Sequence, residues 1–254
     1  MHPSGAEPDF HLFLLLGQSN MAGAPPPEAR DLVPNPRVQV LGYGDRATPA
    51  RAYDAWSVAA PPLHGCDSGL GPGDTFGQEM AAAYPDDRIG LVPCAINGID
   101  IDFYRKGVVS ARRHEFPIPP DNRWAGAYDW VLTRAQLAQR SGVIRGLLFH
   151  QGESDSGDLA WPGKLRQIVD DLRCDLAIGD APLVVGELLH GGLCEGHNAL
   201  VNELPRVIAH TSIASAEGLC GIDAYHFDAA AQRELGRRYA QRMLEALSRA
   251  DKKY

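Results

Sequence analysis

"FLLLGQSNMAG", residues 13–23, is the stretch from which the rest of the chain can be read. Four consecutive apolar residues read as a strand buried on both faces, as in parallel sheets covered by helices on either side. The run stops at Gly17, and Gln18, Ser19 and Asn20 follow at once. Such a strand either turns into an ordinary loop or displays Ser19 at its end for chemistry. Taken alone, a serine at this position is more often a helix N-cap than a nucleophile. The second glycine of a G-x-S-x-G elbow is also missing, which weighs against an ordinary α/β-hydrolase.

Outward from this stretch, short β-rich runs alternate with helical patterns. The runs "RVQVLGY", "RIGLVPCAI", "IRGLLFH", "PLVVGEL" and the weaker "TSIASA" join the first as strand candidates. Helical patterns fall at residues 75–84, 127–140, 161–177, 198–210 and 229–249. The last is the clearest, with Leu235, Tyr239, Met243, Leu244 and Leu247 on one side and Arg237, Arg238, Gln241 and Arg242 on the other. Alternation of this kind predicts one three-layer α/β/α domain over residues 1–254, with a mostly parallel sheet of about five strands. Ligand sites in such sheets lie beyond the carboxyl ends of the strands. The loops after "FLLL", "PCAI" and "LLFH" are therefore expected on one edge.

The 254 residues are 44% hydrophobic and 22% charged, an ordinary globular balance. A formal net charge of −8 argues against nucleic acid or an anionic membrane as partner. No apolar run approaches the roughly 18 residues of a membrane span. The start, "MHPSGAEPDF", lacks a basic segment followed by an apolar one, so no signal peptide is read there. The five cysteines are odd in number and form no CxxC. They read as reduced thiols of a cytoplasmic protein, with a single loop disulfide the alternative. The sequence says nothing about oligomeric state.

Four polar clusters carry the functional signal. Ser19 needs a base to become a nucleophile, commonly a histidine oriented by a carboxylate. "DAYHFD" supplies Asp223 and His226 at i, i+3, a spacing that lets the carboxylate reach the ring. Glu187 and His190 repeat the spacing at another strand end. "FHQGESD" ends an apolar strand in His150, Gln151, Glu153 and Asp155, polar groups that are costly to bury unless paired or used. An amide such as that of Gln151 can donate to an oxyanion. His150 and Glu153 do not have a zinc-site spacing, so no metal is expected. In "SGLGPGDTFGQEMA" glycines precede a helix, leaving backbone N–H groups free to face a ligand. The bland alternative is a tight loop capped by Asp74 or Thr75, and the absence of G-K-[ST] argues against a phosphate loop.

The order Ser, glycine loop, Gln, Asp-x-x-His resembles the SGNH hydrolases, and more closely their carbohydrate-esterase branch of acetylxylan and sialate O-acetylesterase-like proteins. The resemblance rests on "GQSNMAG", "GLGPGDTFG", "PCAINGIDI", "HQGES" and "DAYHFD" and spans nearly the whole chain. It implies a flavodoxin-like parallel sheet and a cofactor-free serine esterase that removes acetyl or another short acyl group from a small or oligosaccharide substrate. By resemblance Ser19 is the nucleophile, His226 the base and Asp223 its partner. The oxyanion donors it implies are the Ser19 N–H, Gly71 and Gln151. Gln18, Asn20, Asn97 and Glu153 are implied as substrate-binding or supporting residues, and Glu153 is the rival of Asp223 as the acid. Asn97-Gly98-Ile99 departs from the usual Gly-Gly-Thr/Ser, and Ala224 replaces a glycine. A lipase or thioesterase on the same scaffold, or a silent carbohydrate-binding protein, are the alternatives. Tyr104, Arg105, Arg112, Arg113, His114 and Trp124 either contact a glycan or form a solvated loop.

Overall fold

A computed structural model describes residues 6–44, 50–65, 67–109, 118 and 124–251. The chain forms β1 (Phe10–Gly17), α1 (Ser19–Ala22), β2 (Val38–Leu41), β3 (Trp56–Val58), α2 (Pro72–Ala83) and β4 (Arg88–Ala95). It continues through α3 (Ala127–Ala138), β5 (Val143–His150), α4 (Trp161–Asp175), β6 (Leu183–Gly186), α5 (Asn198–Val207), β7 (Thr211–Ala214) and α6 (Ala229–Asp251). The strands make one sheet in the order β3-β2-β4-β1-β5-β6-β7, parallel throughout except for β3.

The sheet thus has seven strands where about five were expected. The six apolar runs all form strands, and the seventh, β3, has only three residues, none of them buried. An edge strand so short and half-wet carries no hydrophobic period to read. α2 begins at Pro72 rather than at residue 75, because proline fits the first turn of a helix, where its missing N–H has no intrahelical partner.

β1 shows why the sheet is covered on both sides. Phe10, Leu12, Leu14 and Leu16 enter the core formed with α3, α4 and α5. Phe13 and Leu15 point the other way, into the core formed with α2 and α6. Alternation with period 2 places all six in apolar surroundings. Burying a single leucine this way contributes about 1.5–3 kcal/mol, so β1 is a rigid central element. On leaving β1 the chain first builds β2, β3 and β4 on one flank and then crosses to β5 on the other. That reversal opens a crevice at the carboxyl end of β1. Among the described residues no helix is long and apolar enough to cross a membrane.

Candidate active site

β1, β4 and β5 end level, since Gly17 lies opposite Ala95 on one side and His150 on the other. Residues 18–20, 96–98 and 151–154 therefore leave the sheet side by side. The approach to β5 is so close that a Cβ on Gly17, whose φ is 135°, would stand 2.0 Å from the His150 carbonyl oxygen. Only glycine fits there. Gln18 is buried and braces the same junction. Its N–H donates to the His150 carbonyl at 2.9 Å, and its Oε1 accepts long bonds from the Gly152 and Ser154 N–H groups at 3.5 and 3.4 Å.

Ser19 begins α1 at this rim. Its Oγ lies 2.9 Å from His226 Nε2, and His226 Nδ1 lies 2.8 Å from Asp223 Oδ2. An ionised carboxylate can only accept, so Nδ1 carries the proton and the Nε2 lone pair faces the Ser19 hydroxyl. Asp223 Oδ1 accepts the N–H groups of Tyr225 and His226, both at 2.7 Å, in a local turn. Partial burial pushes the Asp223 carboxyl up, but bonds from the His226 ring and the two N–H groups outweigh it and hold the pKa below the usual range. Asp223 is therefore ionised at neutral pH.

The other histidines singled out from the sequence lie elsewhere. His150 is fully buried, bonded through Nδ1 to the Tyr239 hydroxyl at 3.1 Å, and burial depresses its pKa to about 3. His190 pairs with Glu187 at 3.1 Å. That carboxylate also accepts from Asn202, Ser215 and the Ala216 N–H, which binds the end of β6 to α5 and the segment after β7.

Two residues expected as oxyanion donors have their donor groups bonded within the protein. The Gln151 side chain is fully buried, and its amide is spent. Nε2 donates to the Asp155 carboxylate and to the Ile99 carbonyl, while Oε1 accepts from Trp161 Nε1 at 2.7 Å. The Gly71 N–H donates to Asp74 Oδ2 at 3.2 Å and caps α2. Its neighbours in the glycine loop are spent too, with the Gly69 N–H on the Gly23 carbonyl at 2.7 Å and the Leu70 N–H on the Pro25 carbonyl at 2.8 Å. Gly71 does pack against α1, where a Cβ on it would stand 2.6 Å from the Met21 carbonyl oxygen, but its N–H is turned to Asp74.

The loop after β4 carries Asn97 and Gly98, which line an open cleft of about 560 Å³ together with Ser19, Glu153, Ser154 and Tyr225. Asn97 is exposed and donates one amide proton to the Asp67 carbonyl at 2.9 Å; among the described residues the second has no acceptor. Among the described residues, the N–H groups of Ser19, Asn97 and Gly98 make no hydrogen bond. Gly98 and Ser154 stand in stretches singled out from the sequence but were given no role there, and neither was Tyr225. Gly98 and Ser154 lie on the loops after β4 and β5, which the sequence placed on the same edge as the loop after β1.

Glu153 lines the cleft without touching a ring nitrogen of His226, since both are occupied. Its Oε1 accepts from Asn20 Nδ2 at 2.5 Å. Burial pushes its pKa up, against the pull of the Asn20 bond. Tyr104 is no glycan platform. It is buried, and its hydroxyl donates at 2.7 Å toward the Gly17 and Cys94 carbonyls, joining β1 to β4. Arg105 pairs with Asp102 at 3.1 Å, and Trp124 packs against the core. Arg112, Arg113 and His114 lie outside the described residues. Among the described residues Cys94, Cys174, Cys194 and Cys220 are free thiols, and no group of three or more His, Cys, Asp or Glu side chains could hold a metal ion.

The comparisons with known proteins agree on a family. A probable carbohydrate esterase of Arabidopsis thaliana is 27% identical over 269 residues, covering 93% of this chain and 91% of that protein. The X-ray structure of the same plant protein superposes with a TM-score of 0.73 at 25% identity, covering 94% of this chain and 99% of the other. The crystal structure of NanS shares the fold, with a TM-score of 0.76 at 16% identity over 96% of this chain and 99% of that one. So does a carbohydrate acetylesterase from Xanthomonas citri, with a TM-score of 0.69 at 15% identity, covering 93% of this chain and 56% of its own. Residues 9–245 match the family described as carbohydrate esterase, sialic acid-specific acetylesterase. The chain belongs to that family and is a carboxylic ester hydrolase of the carbohydrate-deacetylating type.

Proposed function

We propose that the chain removes acetyl groups from sugar hydroxyls with Ser19 as nucleophile, His226 as general base and Asp223 as the carboxylate behind it. The observation that carries this reading is the unbroken line Asp223–His226–Ser19, at 2.8 and 2.9 Å, opening into the cleft beyond β1. The His226 Nε2 lone pair takes the Ser19 proton as Oγ attacks the ester carbonyl carbon. The carbonyl oxygen becomes an oxyanion. The donors assigned to it are the Ser19 N–H, in the first turn of α1, and the N–H groups of Asn97 and Gly98, all on residues that line the cleft and unspent among the described residues. One such donor elsewhere is worth about 2.7–4 kcal/mol. Collapse of the intermediate breaks the bond to the sugar oxygen, which takes the proton from His226. Water then attacks the acetyl-serine, again with His226 as base, releasing acetate and restoring Ser19.

The polar cleft walls formed by Asp67, Asn97 and Ser154 suit a hydroxyl-rich alcohol and a short acyl group better than a long chain. The experiment is acetate release from 4-nitrophenyl acetate and from an acetylated xylo-oligosaccharide. Ser19→Ala and His226→Ala should each keep the fold and lower kcat by at least about 10³-fold. Near-normal turnover by folded His226→Ala would remove it as the base.

A further inference from the structure

The Asn20 side chain is fully buried, and each of its polar atoms is used. Nδ2 donates to the Tyr225 carbonyl at 2.9 Å and to Glu153 Oε1 at 2.5 Å, and Oδ1 accepts from the Phe227 N–H at 3.2 Å. The Tyr225 carbonyl belongs to the peptide before His226 and the Phe227 N–H to the peptide after it. One amide, on the residue next to Ser19 in the chain, therefore bridges the two peptide groups that bracket His226. We infer that Asn20, with its amide oriented by Glu153, is the residue that positions His226 against Ser19.

The orientation follows from donor and acceptor chemistry. The Asn20 side chain faces two acceptors, the Tyr225 carbonyl and Glu153, and one donor, the Phe227 N–H. With Nδ2 toward the acceptors all three contacts are hydrogen bonds; a flip of the amide turns each of them into a clash of like groups. Glu153 is thus a brace that fixes the rotamer, its hydrogen bond running to Asn20 and not to the His226 ring. Asp223 holds the same loop from the other side through the Tyr225 and His226 N–H groups. Between them the two side chains fix the backbone on both flanks of the base, so the ring is aimed before any ester arrives. Gln232, donating to the Asn20 carbonyl at 3.2 Å, ties the arrangement to α6.

The inference rests on His226 being the base, so its test separates the two ideas. Asn20→Ala is made in the wild type and in His226→Ala, and both pairs are assayed on 4-nitrophenyl acetate after thermal unfolding has established that the proteins fold. A positioning residue should lower kcat by about 10²-fold with KM little changed. In the His226→Ala background the same substitution should cost less than about twofold, because residues that act as a unit are not additive. Glu153→Gln, which still accepts through its amide oxygen, should keep most of the activity. Glu153→Leu should reproduce the Asn20→Ala loss, and this pair carries the test should Asn20→Ala not fold. Equal losses in the two backgrounds, a change confined to KM, or Glu153→Leu behaving like Glu153→Gln would overturn the inference. A fully active Ser19→Ala would instead overturn the esterase mechanism beneath it.

Discussion

Asp223→Asn is the substitution that tests the geometry of the base most severely. Its charge effect alone is moderate. The Asp223 side chain is 48% exposed, so its attraction for the imidazolium formed in the reaction is screened. Unit charges about 4 Å apart gain between about 1 kcal/mol in water and about 4 kcal/mol near a protein surface. A middle value of about 2 kcal/mol is roughly 30-fold in rate. The hydrogen-bond pattern adds a larger penalty. Oδ1 at this position serves two N–H donors at 2.7 Å, those of Tyr225 and His226. In the asparagine variant the amide oxygen must stay with them, which turns the NH₂ group toward His226 Nδ1. Nδ1 must then accept, the ring proton moves to Nε2, and Ser19 faces a donor instead of a lone pair. The corresponding change in a serine protease, through the same wrong tautomer, lowers kcat about 10⁴-fold. We therefore expect a fall in kcat of about 10³–10⁴-fold on 4-nitrophenyl acetate, with unchanged thermal unfolding. Glu153→Gln in the same assay should cost far less. A loss under about tenfold for Asp223→Asn, or a greater loss for Glu153→Gln, would refute the reasoning and return the acid role to Glu153.

Gln151→Ala should cost about 1–3 kcal/mol of stability, because it leaves Trp161 Nε1 without its buried acceptor. The folded variant should lose little kcat, and a loss of 100-fold or so with unchanged unfolding would restore Gln151 as an oxyanion donor. Gly17→Ala, forcing a Cβ into the His150 carbonyl, should lower stability by more than about 3 kcal/mol or prevent folding; urea denaturation reads this directly. His150, with its folded pKa depressed to about 3, refuses a proton that the unfolded chain accepts near pH 6.5. Its contribution to stability is present above that pH and is lost as pH falls toward 3, with a slope of at most about 1.4 kcal/mol per pH unit. Stability curves of the wild type and His150→Gln between pH 6 and pH 4 should therefore diverge, and parallel curves contradict the assignment.

Much of this molecule can be read from its chain because the responsible interactions are local. The six apolar runs declare themselves as strands, and Asp223 and His226 meet at the two ends of a four-residue turn. What could not be read depends on elements far apart in sequence. Gly71 does pack against α1, but its N–H is turned to Asp74, and Asn97 and Gly98, brought beside Ser19 by the pairing of β4 with β1, line the cleft with theirs unspent. Gln151 sits at the right strand end, but the direction of its amide is set by Trp161 in α4 and by Asp155. β3 has no pattern of its own and exists because β2 offers it an edge.

Ser19 and His226 are 207 residues apart in the chain yet 2.9 Å apart in space. On the ribosome, at about 5–20 residues per second, the nucleophile is made on the order of ten to forty seconds before the base. A nascent chain can pair β1 with β4 and β5 and present its serine, but that serine stays a plain alcohol until the last tenth of the protein is made. A chain stopped before residue 226 would be inert as well as short. It would also lack α6, leaving Phe76 and Met80 of α2 without the leucines and methionine that cover that core, the kind of bare apolar surface on which chaperones and proteases act.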